Sequence, residues 1–264
     1  MKPGDIQRLL DIMQQLRNPD GGCPWDLQQT YRTIVPHTIE EAYEVADAIE
    51  RDDYVELQGE LGDLLFQVVF YAQLAKEENR FEFTDIVQGI CDKMEHRHPH
   101  VFGDRQVADA DEQTRHWEQL KADERKARAE DSTPHSVLDG IAHTLPAVSV
   151  AHKLQKRAAQ VGFDWPDERG VIEKMKEELL EIEQAWPDPN ARTEEIGDLL
   201  FTCVNLARHA GLDTETVLRQ SNRKFENRFR AMEQELEEMG KPITEATADE
   251  IEAAWETIKG RPSR

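Results

Sequence analysis

Two pairs of acidic residues in the second half of the chain have the spacing of side chains on one helical face. Glu178 and Glu181 are three positions apart, and so are Glu195 and Asp198; residues at this spacing are neighbours on a helix surface. The connecting residues 185–193 contain two prolines, and a connection this short favours antiparallel helices. We therefore expect the two pairs to face each other, with Asp198 at the border of a hydrophobic core.

Four converging carboxylates predict a bound cation. They raise one another's pKa or destabilise the fold unless a positive charge compensates them. Because all of these ligands are oxygens, the pattern predicts Mg²⁺, with Mn²⁺ as a substitute. A di-iron site would instead use Glu-x-x-His motifs, and no His follows these glutamates at that spacing. For any single pair, the alternative is a solvated acidic surface, since the chain has 54 acidic residues.

The same pattern occurs in the first half of the chain. Residues 62–66 and 197–201 both read Gly-Asp-Leu-Leu-Phe, at an offset of 197 − 62 = 135 positions. The acidic residues of the first copy are Glu41, Glu44, Glu60 and Asp63, and they form a second possible metal site. Because prolines and glycines cluster between the copies, we predict two domains, residues 1–130 and residues 131–264.

Hydrophobic periodicity predicts that both copies are helical. Apolar residues recur at three- and four-residue spacing over residues 6–16, which marks one face of a helix. Residues 60–76 are strongly apolar and contain no proline, so we predict a mostly buried helix there. No useful length of sequence alternates with the period of a strand. The predicted fold class is all-α, a tandem pair of bundles with four or five helices each.

Basic residues downstream of the second acidic pattern predict a polyphosphate substrate. Lys224 and Arg228 are four positions apart on one helical face. Lysine offers phosphate oxygens a point charge and arginine offers them a bidentate fork, although a pair seen alone also fits an ordinary surface. Trp255 is a candidate for stacking on a base.

The net charge of −22 excludes several classes of protein. A chain this acidic lacks the clustered Lys and Arg of proteins that bind nucleic-acid polymers. No apolar run approaches the roughly 18 residues of a membrane span, and residues 1–17 have no signal-peptide core. The three cysteines are widely separated and match no disulfide or zinc pattern. We therefore expect a cytoplasmic protein with no membrane partner.

Taken together, these motifs resemble the two-copy form of the MazG family of nucleoside triphosphate pyrophosphohydrolases. The resemblance rests on the EExxE and ExxD patterns, on the doubled Gly-Asp-Leu-Leu-Phe, and on residues 23–26 and 98–102, which read Cys-Pro-Trp-Asp and His-Pro-His-Val-Phe. It implies Mg²⁺-dependent hydrolysis of nucleoside triphosphates, ATP among them, to monophosphate and pyrophosphate. The expected substrates include ribo- and deoxyribonucleotides with many bases. The resemblance also implies a homodimer and a house-cleaning or stringent-response role.

The resemblance implies roles for individual residues as well. The metal-binding and catalytic acids map onto Glu178, Glu181, Glu195 and Asp198. The nucleotide contacts map onto Lys174, Glu177, Glu194, Lys224, Arg228 and Trp255. The first copy has His37 in place of Lys174 and Cys91 in place of Asn222, and the loss of a fixed positive charge predicts weaker triphosphate binding. We therefore expect residues 131–264 to form the main catalytic domain and residues 1–130 to be weakly active or structural.

Two other functions remain open from the residues alone. One is a metal-dependent pyrophosphohydrolase of another phosphorylated nucleotide, such as a phosphoribosyl-nucleotide. The other is a non-enzymatic acidic helical module, which would need no metal and would tolerate the loss of Glu195 and Asp198 together. Because an acidic protein repels a polyanion, either hydrolase requires a divalent cation to bridge protein and substrate.

Overall fold

The computed structural model describes residues 5–104 and 136–260, together with positions 109, 112, 113, 116, 117, 119, 120 and 124. The described residues form helices and no strands, which confirms the all-α prediction. The chain divides into two compact units, Met1–Glu124 (unit 1) and Arg125–Arg264 (unit 2). The domain boundary predicted between residues 130 and 131 lies outside the described residues. None of the helices in the described part of the chain is both long and apolar enough to cross a membrane.

Unit 1 is built around a pair of long helices. Its helices are α1 (Ile6–Leu16), α2 (Pro24–Gln28), α3 (Tyr31–Glu50), α4 (Tyr54–Glu77), α5 (Phe83–Arg97) and α6 (Pro99–Phe102). Helices α3 and α4 pack along each other, and both α1 and α5 pack on α4. Only residues 51–53 connect α3 to α4, so the two helices are antiparallel neighbours. Asp53 accepts hydrogen bonds from the Val55 and Glu56 amides and thereby caps α4.

The hydrophobic core of unit 1 lies at one end of this helix pair. It contains Met13, Ile34, Val69, Phe70 and Leu74. The expectation that residues 60–76 are mostly buried is therefore wrong for the first half of that segment, where Leu61 and Leu65 are exposed. The physical reason is that the core residues of α4, Val69, Phe70 and Leu74, all lie in its C-terminal half, so that Leu61 and Leu65 are not covered by this core.

Unit 2 repeats the long helix pair. Its helices are α7 (Ala147–Ala159), α8 (Glu168–Ala185), α9 (Pro189–His209), α10 (Thr214–Glu238) and α11 (Ala248–Lys259), with a short 3₁₀ turn at Ile243–Glu245. Helices α8 and α9 pack along each other, α7 packs on α9 and α10, and α11 packs on α10. A compact core of Met232, Leu236, Ala254 and Ile258 holds α10 against α11.

Two expectations about the α8–α9 pair need correction. The connection comprises residues 186–188 rather than 185–193, because Pro189 begins α9 and Asp188 caps it by accepting a hydrogen bond from the Asn190 amide. Asp198 is exposed rather than at the border of a core. Leu200 and Phe201, which follow shortly after it, are exposed too, with Leu200 at 62%, because no described residue of unit 2 covers these side chains.

Candidate functional site

The α8–α9 hairpin positions the acidic residues of unit 2. Glu178 lies nine positions before Pro187, at the middle of the connection, and Glu195 lies eight positions after it. In an antiparallel hairpin, residues at nearly equal distances from the turn lie at the same level. The short connection therefore places Glu178 of α8 beside Glu195 of α9.

Three of the four predicted acids meet at this level. Glu178, Glu181 and Glu195 each offer a carboxylate oxygen, and these oxygens lie within 4.8 Å of one another. Glu178 is only 2% exposed, whereas Glu181 and Glu195 are partly buried. We call these three residues the unit 2 trio. Asp198 lies outside the trio, but its charge contributes to the electrostatics of Glu195.

The pKa of Glu195 reflects its partial burial and the repulsion within the trio. Partial burial raises the pKa of the Glu195 carboxyl, and the negative charges of Glu181, Glu178, Asp198 and Glu194 raise it further. A carboxylate surrounded by like charges prefers its protonated form unless a cation is close. The trio is therefore short of positive charge.

Lys174 supplies part of that charge from within α8. Its Nζ donates to Glu177 at 2.7 Å and lies 2.8 Å from Oε1 of Glu178 and 3.9 Å from Glu181. Hydrogen bonds from Nζ to Glu177 and Glu178 raise the pKa of Lys174. The other oxygen of Glu178, Oε2, is buried and has no hydrogen-bond partner among the described atoms. One lysine therefore leaves a buried acceptor free to bind a cation.

Unit 1 contains a related cluster with a different membership. Glu41, Glu60 and Asp63 offer oxygens within 4.8 Å of one another, and we call them the unit 1 trio. In unit 1, Glu41 of α3 and Glu60 of α4 are 60 − 41 = 19 positions apart. In unit 2, the corresponding Glu178 and Glu195 are 195 − 178 = 17 positions apart. The two helix pairs therefore differ in register by two residues, or about 3 Å, and Asp63 joins the trio in unit 1. Glu44 is not one of its members, although its carboxyl is close enough to hydrogen-bond with Glu41 and Glu60.

No lysine among the described residues of unit 1 forms an ion pair with the unit 1 trio. Burial raises the pKa of Glu41, and the charges of Asp63, Glu44 and Glu60 raise it further. His37 stands where unit 2 has Lys174, and its Nδ1 lies 3.8 Å from Glu40, which is not a member of the trio. The sequence difference between the two copies therefore appears in the structure as a difference in local charge.

The chain matches a known family of proteins in both of its halves. The MazG nucleotide pyrophosphohydrolase domain matches it twice, at residues 29–102 and 169–233, so each match contains one acidic trio. The chain belongs to the MazG family. It is 50% identical to the nucleoside triphosphate pyrophosphohydrolase of Escherichia coli K12, over 96% of this chain and 97% of that protein. The pyrophosphohydrolase/pyrophosphatase MazG of Thermotoga maritima is 41% identical, over 97% and 96% of the two chains. The nucleoside triphosphate pyrophosphohydrolase of Mycolicibacterium smegmatis is 33% identical, over 61% of this chain and 49% of that protein.

Three of the remaining predicted nucleotide contacts of this MazG chain lie on α10 and α11, and Glu194 lies on α9. Lys224 is exposed and Arg228 partly exposed on α10. Trp255 on α11 packs with its ring centroid 5.6 Å from that of Phe225. Glu194 is exposed on α9 next to the trio. No contact among the described residues joins Lys224, Arg228 or Trp255 to the unit 2 trio, so their proximity to the substrate stays a prediction.

The sequence did not predict a pocket that unit 2 contains beside α9. This cavity of about 640 Å³ is lined by α7, by the segment between α7 and α8, and by α9. The only sequence signal near it is Trp165, which repeats Trp25 of the first copy. Its other lining side chains come from segments far apart in sequence, and only folding brings them together.

Proposed function

We propose that this MazG chain hydrolyses nucleoside triphosphates, both ribo and deoxyribo and with a broad range of bases, to nucleoside monophosphate and pyrophosphate in a Mg²⁺-dependent reaction. The observation that carries the proposal is the unit 2 trio, in which a buried glutamate keeps one oxygen without a partner. The names of the Escherichia coli and Thermotoga maritima relatives support the substrate class.

The donor set fits a divalent magnesium ion, with manganese as a substitute. Glu178, Glu181 and Glu195 would hold the metal, and Asp198 is one helical turn from Glu195 and available as a further ligand. All of these donors are carboxylate oxygens, which suit hard cations. A bound Mg²⁺ would neutralise phosphate charge and make a bound water molecule more acidic.

The protein's own residues have separate tasks in this proposal. The trio would hold the metal, and its negative charges repel the phosphates of the substrate when no cation neutralises them. Lys174 already lies at the edge of the trio and is positioned to turn from Glu177 towards a phosphate oxygen. Lys224 and Arg228 bind the pyrophosphate end of the substrate, where negative charge develops as the bond breaks. A carboxylate that is not engaged with metal accepts the proton of the attacking water.

The decisive experiment is a screen of nucleoside triphosphates with and without Mg²⁺, in which pyrophosphate and orthophosphate are measured separately. Mg²⁺-dependent release of pyrophosphate is the expected result. Orthophosphate would instead indicate a stepwise phosphatase, and neither product would favour a binding module. Glu178→Gln should abolish turnover and keep the fold. The control is Glu173→Gln on the same helix, because Glu173 is exposed and pairs only with Lys176 among the described residues.

We also propose that the chain acts as a homodimer. Apolar side chains are exposed next to the acids in both helix pairs, among them Leu179, Leu180 and Leu200 in unit 2 and Leu61 and Leu65 in unit 1. Large exposed apolar surface marks interaction sites in soluble proteins, and a second copy offers the same side chains for a symmetric contact. Light scattering behind a sizing column should give a mass near twice the 30.4 kDa of one chain.

The two repeats have unequal shares in this function. We assign the main catalytic role to residues 131–264, because among the described residues a lysine pairs with the unit 2 trio and none pairs with the unit 1 trio. Residues 1–130 are weakly active or structural. A cytoplasmic enzyme with a broad base range suits a house-cleaning role that clears unwanted nucleotides, including under the stringent response.

A further inference from the structure

The end of α5 and the short helix α6 bring two histidine rings together in unit 1. His98 lies between the two helices, and His100 is the second residue of α6. Their ring centroids are 5.7 Å apart and the ring planes are tilted by 52°, and both residues are partly buried. The ring of Trp117 packs edge-on against that of His98, with the centroids 5.9 Å apart. The two imidazoles, which we call the histidine pair, are therefore held side by side.

A hydrogen bond to the backbone determines which nitrogen of His98 is available to a ligand. Nδ1 of His98 lies 2.7 Å from the carbonyl oxygen of Met94. Since a carbonyl oxygen can only accept, Nδ1 carries the proton, and in the neutral ring the lone pair is then on Nε2. Histidines that bind metal ions are commonly oriented by a hydrogen bond of this kind from their other nitrogen. His98 therefore offers Nε2 as a metal ligand.

Two buried polar atoms near His98 have no partner among the described atoms. One is Nδ1 of His100. The other is Oε1 of Gln113, whose Nε2 donates to the carbonyl oxygen of Arg97, the residue before His98, at 3.4 Å. Because that carbonyl oxygen only accepts, the bond fixes the amide orientation that leaves Oε1 unpaired. Buried polar atoms are almost always paired with protein, water or an ion, so these two atoms indicate that a ligand binds here.

Unit 2 shows the same place filled with apolar side chains. Arg97 corresponds to Arg228, at an offset of 228 − 97 = 131 positions. Trp117 corresponds to Trp255, at an offset of 255 − 117 = 138 positions. At these offsets unit 2 has an apolar residue in place of each of the three donor residues, namely Phe229 for His98, Ala231 for His100 and Ile251 for Gln113. All three apolar residues pack against the core between α10 and α11. Unit 1 therefore carries nitrogen and oxygen donors at positions where the repeat needs only apolar contacts.

The spacing of the histidine pair suits a single shared ion. A metal ion lies about 2.0–2.1 Å from a ligating imidazole nitrogen, and hence about 3.2 Å from the centre of the ring. Two rings that share an ion can therefore have centroids up to about 6.4 Å apart, and the observed 5.7 Å is within that limit. Imidazole nitrogens suit Zn²⁺, Ni²⁺ and Cu²⁺, whereas Mg²⁺ is bound through oxygens. The histidine pair therefore selects a different class of ion from the acidic trios.

We propose that the histidine pair and Oε1 of Gln113 form a binding site for Zn²⁺, with water completing the coordination. Zinc accepts imidazole and oxygen ligands in a four-coordinate arrangement. Gln113 follows α6 in the chain, so a bound ion would hold its segment against the end of α5 and stabilise the fold of unit 1. No member of either trio takes part, so the inference does not depend on the proposed function.

The test is the binding of Zn²⁺ to the full chain, measured by calorimetry after metal has been removed and in a large excess of Mg²⁺. Mg²⁺ competes for the carboxylates but not for imidazole nitrogens. His98→Phe should weaken Zn²⁺ binding by at least about tenfold, because even residues that only orient a metal ligand contribute this much. Phenylalanine keeps a ring against Trp117, and Phe229 already occupies the corresponding position in unit 2. His96→Phe is the matched control, because His96 is exposed on α5 and its replacement should leave the affinity unchanged.

His100→Ala is an independent second variant, because alanine stands at the corresponding position of unit 2. It should also weaken Zn²⁺ binding by at least about tenfold, and it keeps the inference testable if His98→Phe does not fold. Since an ion that binds only the folded state stabilises it, Zn²⁺ should raise the Tm of the wild-type chain more than that of either variant.

The comparison of variants separates this site from Zn²⁺ bound elsewhere, which affects all of these proteins equally. Weaker binding in His98→Phe and His100→Ala, with none of the loss in His96→Phe, would support the site even if ATP were not hydrolysed. The site would be refuted, whether or not ATP is hydrolysed, if the wild-type chain bound no Zn²⁺ or bound it no more tightly than the two variants. An equal loss in His96→Phe would also refute it, because the affinity would then not depend on the paired rings.

Discussion

Replacing Lys174 with methionine tests whether the trio really lacks positive charge. Nζ of Lys174 lies 2.8 Å from Oε1 of Glu178, and the two side chains are 32% and 2% exposed. Methionine keeps most of the apolar stem of the lysine. The substitution therefore leaves Glu178 as a buried carboxylate beside two other acids, without its counterion.

The size of the effect follows from the burial of the two partners. Breaking a fully buried ion pair costs about 3–5 kcal/mol, whereas a charge-assisted hydrogen bond is worth about 1.5–3 kcal/mol. Because Lys174 is one-third exposed, solvent screens the pair, and we expect a loss of about 2 kcal/mol in the free energy of unfolding. In a domain of this size the loss lowers the Tm by about 6 °C.

Scanning calorimetry at pH 7 in EDTA measures this loss, and the chain offers a matched control. Nζ of Lys176 also lies 2.8 Å from a glutamate on the same helix, Glu173, but both side chains are exposed. Lys176→Met should therefore change the unfolding free energy by less than about 1 kcal/mol. The same Tm for Lys174→Met and Lys176→Met in EDTA would refute the account of the trio given above.

Added Mg²⁺ provides the second half of the test. In Lys174→Met no ammonium group competes for the oxygens of Glu178, so Mg²⁺ should bind more tightly to the metal-free variant than to the wild-type chain. A ligand that binds only the folded state stabilises it in proportion to its affinity, so the Mg²⁺-induced rise in Tm should be larger in the variant. An identical rise in both proteins would mean that Lys174 does not occupy part of the metal's position.

Three further changes test other parts of the molecule. Glu195→Gln should raise the Tm in EDTA at pH 7, because partial burial and neighbouring acids raise the pKa of Glu195. The gain in Tm should vanish below about pH 4, where the wild-type carboxyl is protonated. A gain that persists below this pH would contradict an electrostatic origin. Arg17→Met should lower the unfolding free energy by about 3 kcal/mol in urea denaturation, because it leaves Glu77 without its cation. Burial opposes ionisation of Glu77, but hydrogen bonds from Arg17 outweigh burial and lower the pKa of Glu77. The stabilisation by this ion pair should therefore be present above about pH 4.3 and lost as the pH falls through the lowered pKa. An unfolding free energy that does not change with pH in this acid range would contradict the prediction. Glu60→Gln in the full chain should leave most ATP turnover intact, and the loss of most turnover would assign the chemistry to unit 1.

The acidic residues show how far local spacing predicts a site. Glu178 and Glu181 are on one face of α8 because helical periodicity places residues three apart together. The short connection to α9 then makes Glu195 their neighbour, and both steps are readable in the sequence. The exposure of Asp198 was not predictable in this way, because it depends on which helices pack against α9.

The two copies also show that local sequence spacing does not predict every feature of the site. Their common motif predicts the repeated helix pair, which the structure contains in both units. The membership of the two trios differs, however, because the second acid of α8, Glu181, belongs to the unit 2 trio, whereas the second acid of α4, Asp63, belongs to the unit 1 trio. The free oxygen of Glu178 likewise depends on where Lys174 points, which spacing alone does not determine.

The sequence by itself therefore determined the all-α class, the duplication and the acids that could hold a metal, because helix formation and helical faces depend on residues close together in the chain. Tertiary structure decided which acids meet, which apolar side chains remain uncovered, and that Gln155, Trp165 and Asn205 surround one cavity. Those properties depend on contacts between residues up to 205 − 155 = 50 positions apart, and such contacts arise only when whole helices pack.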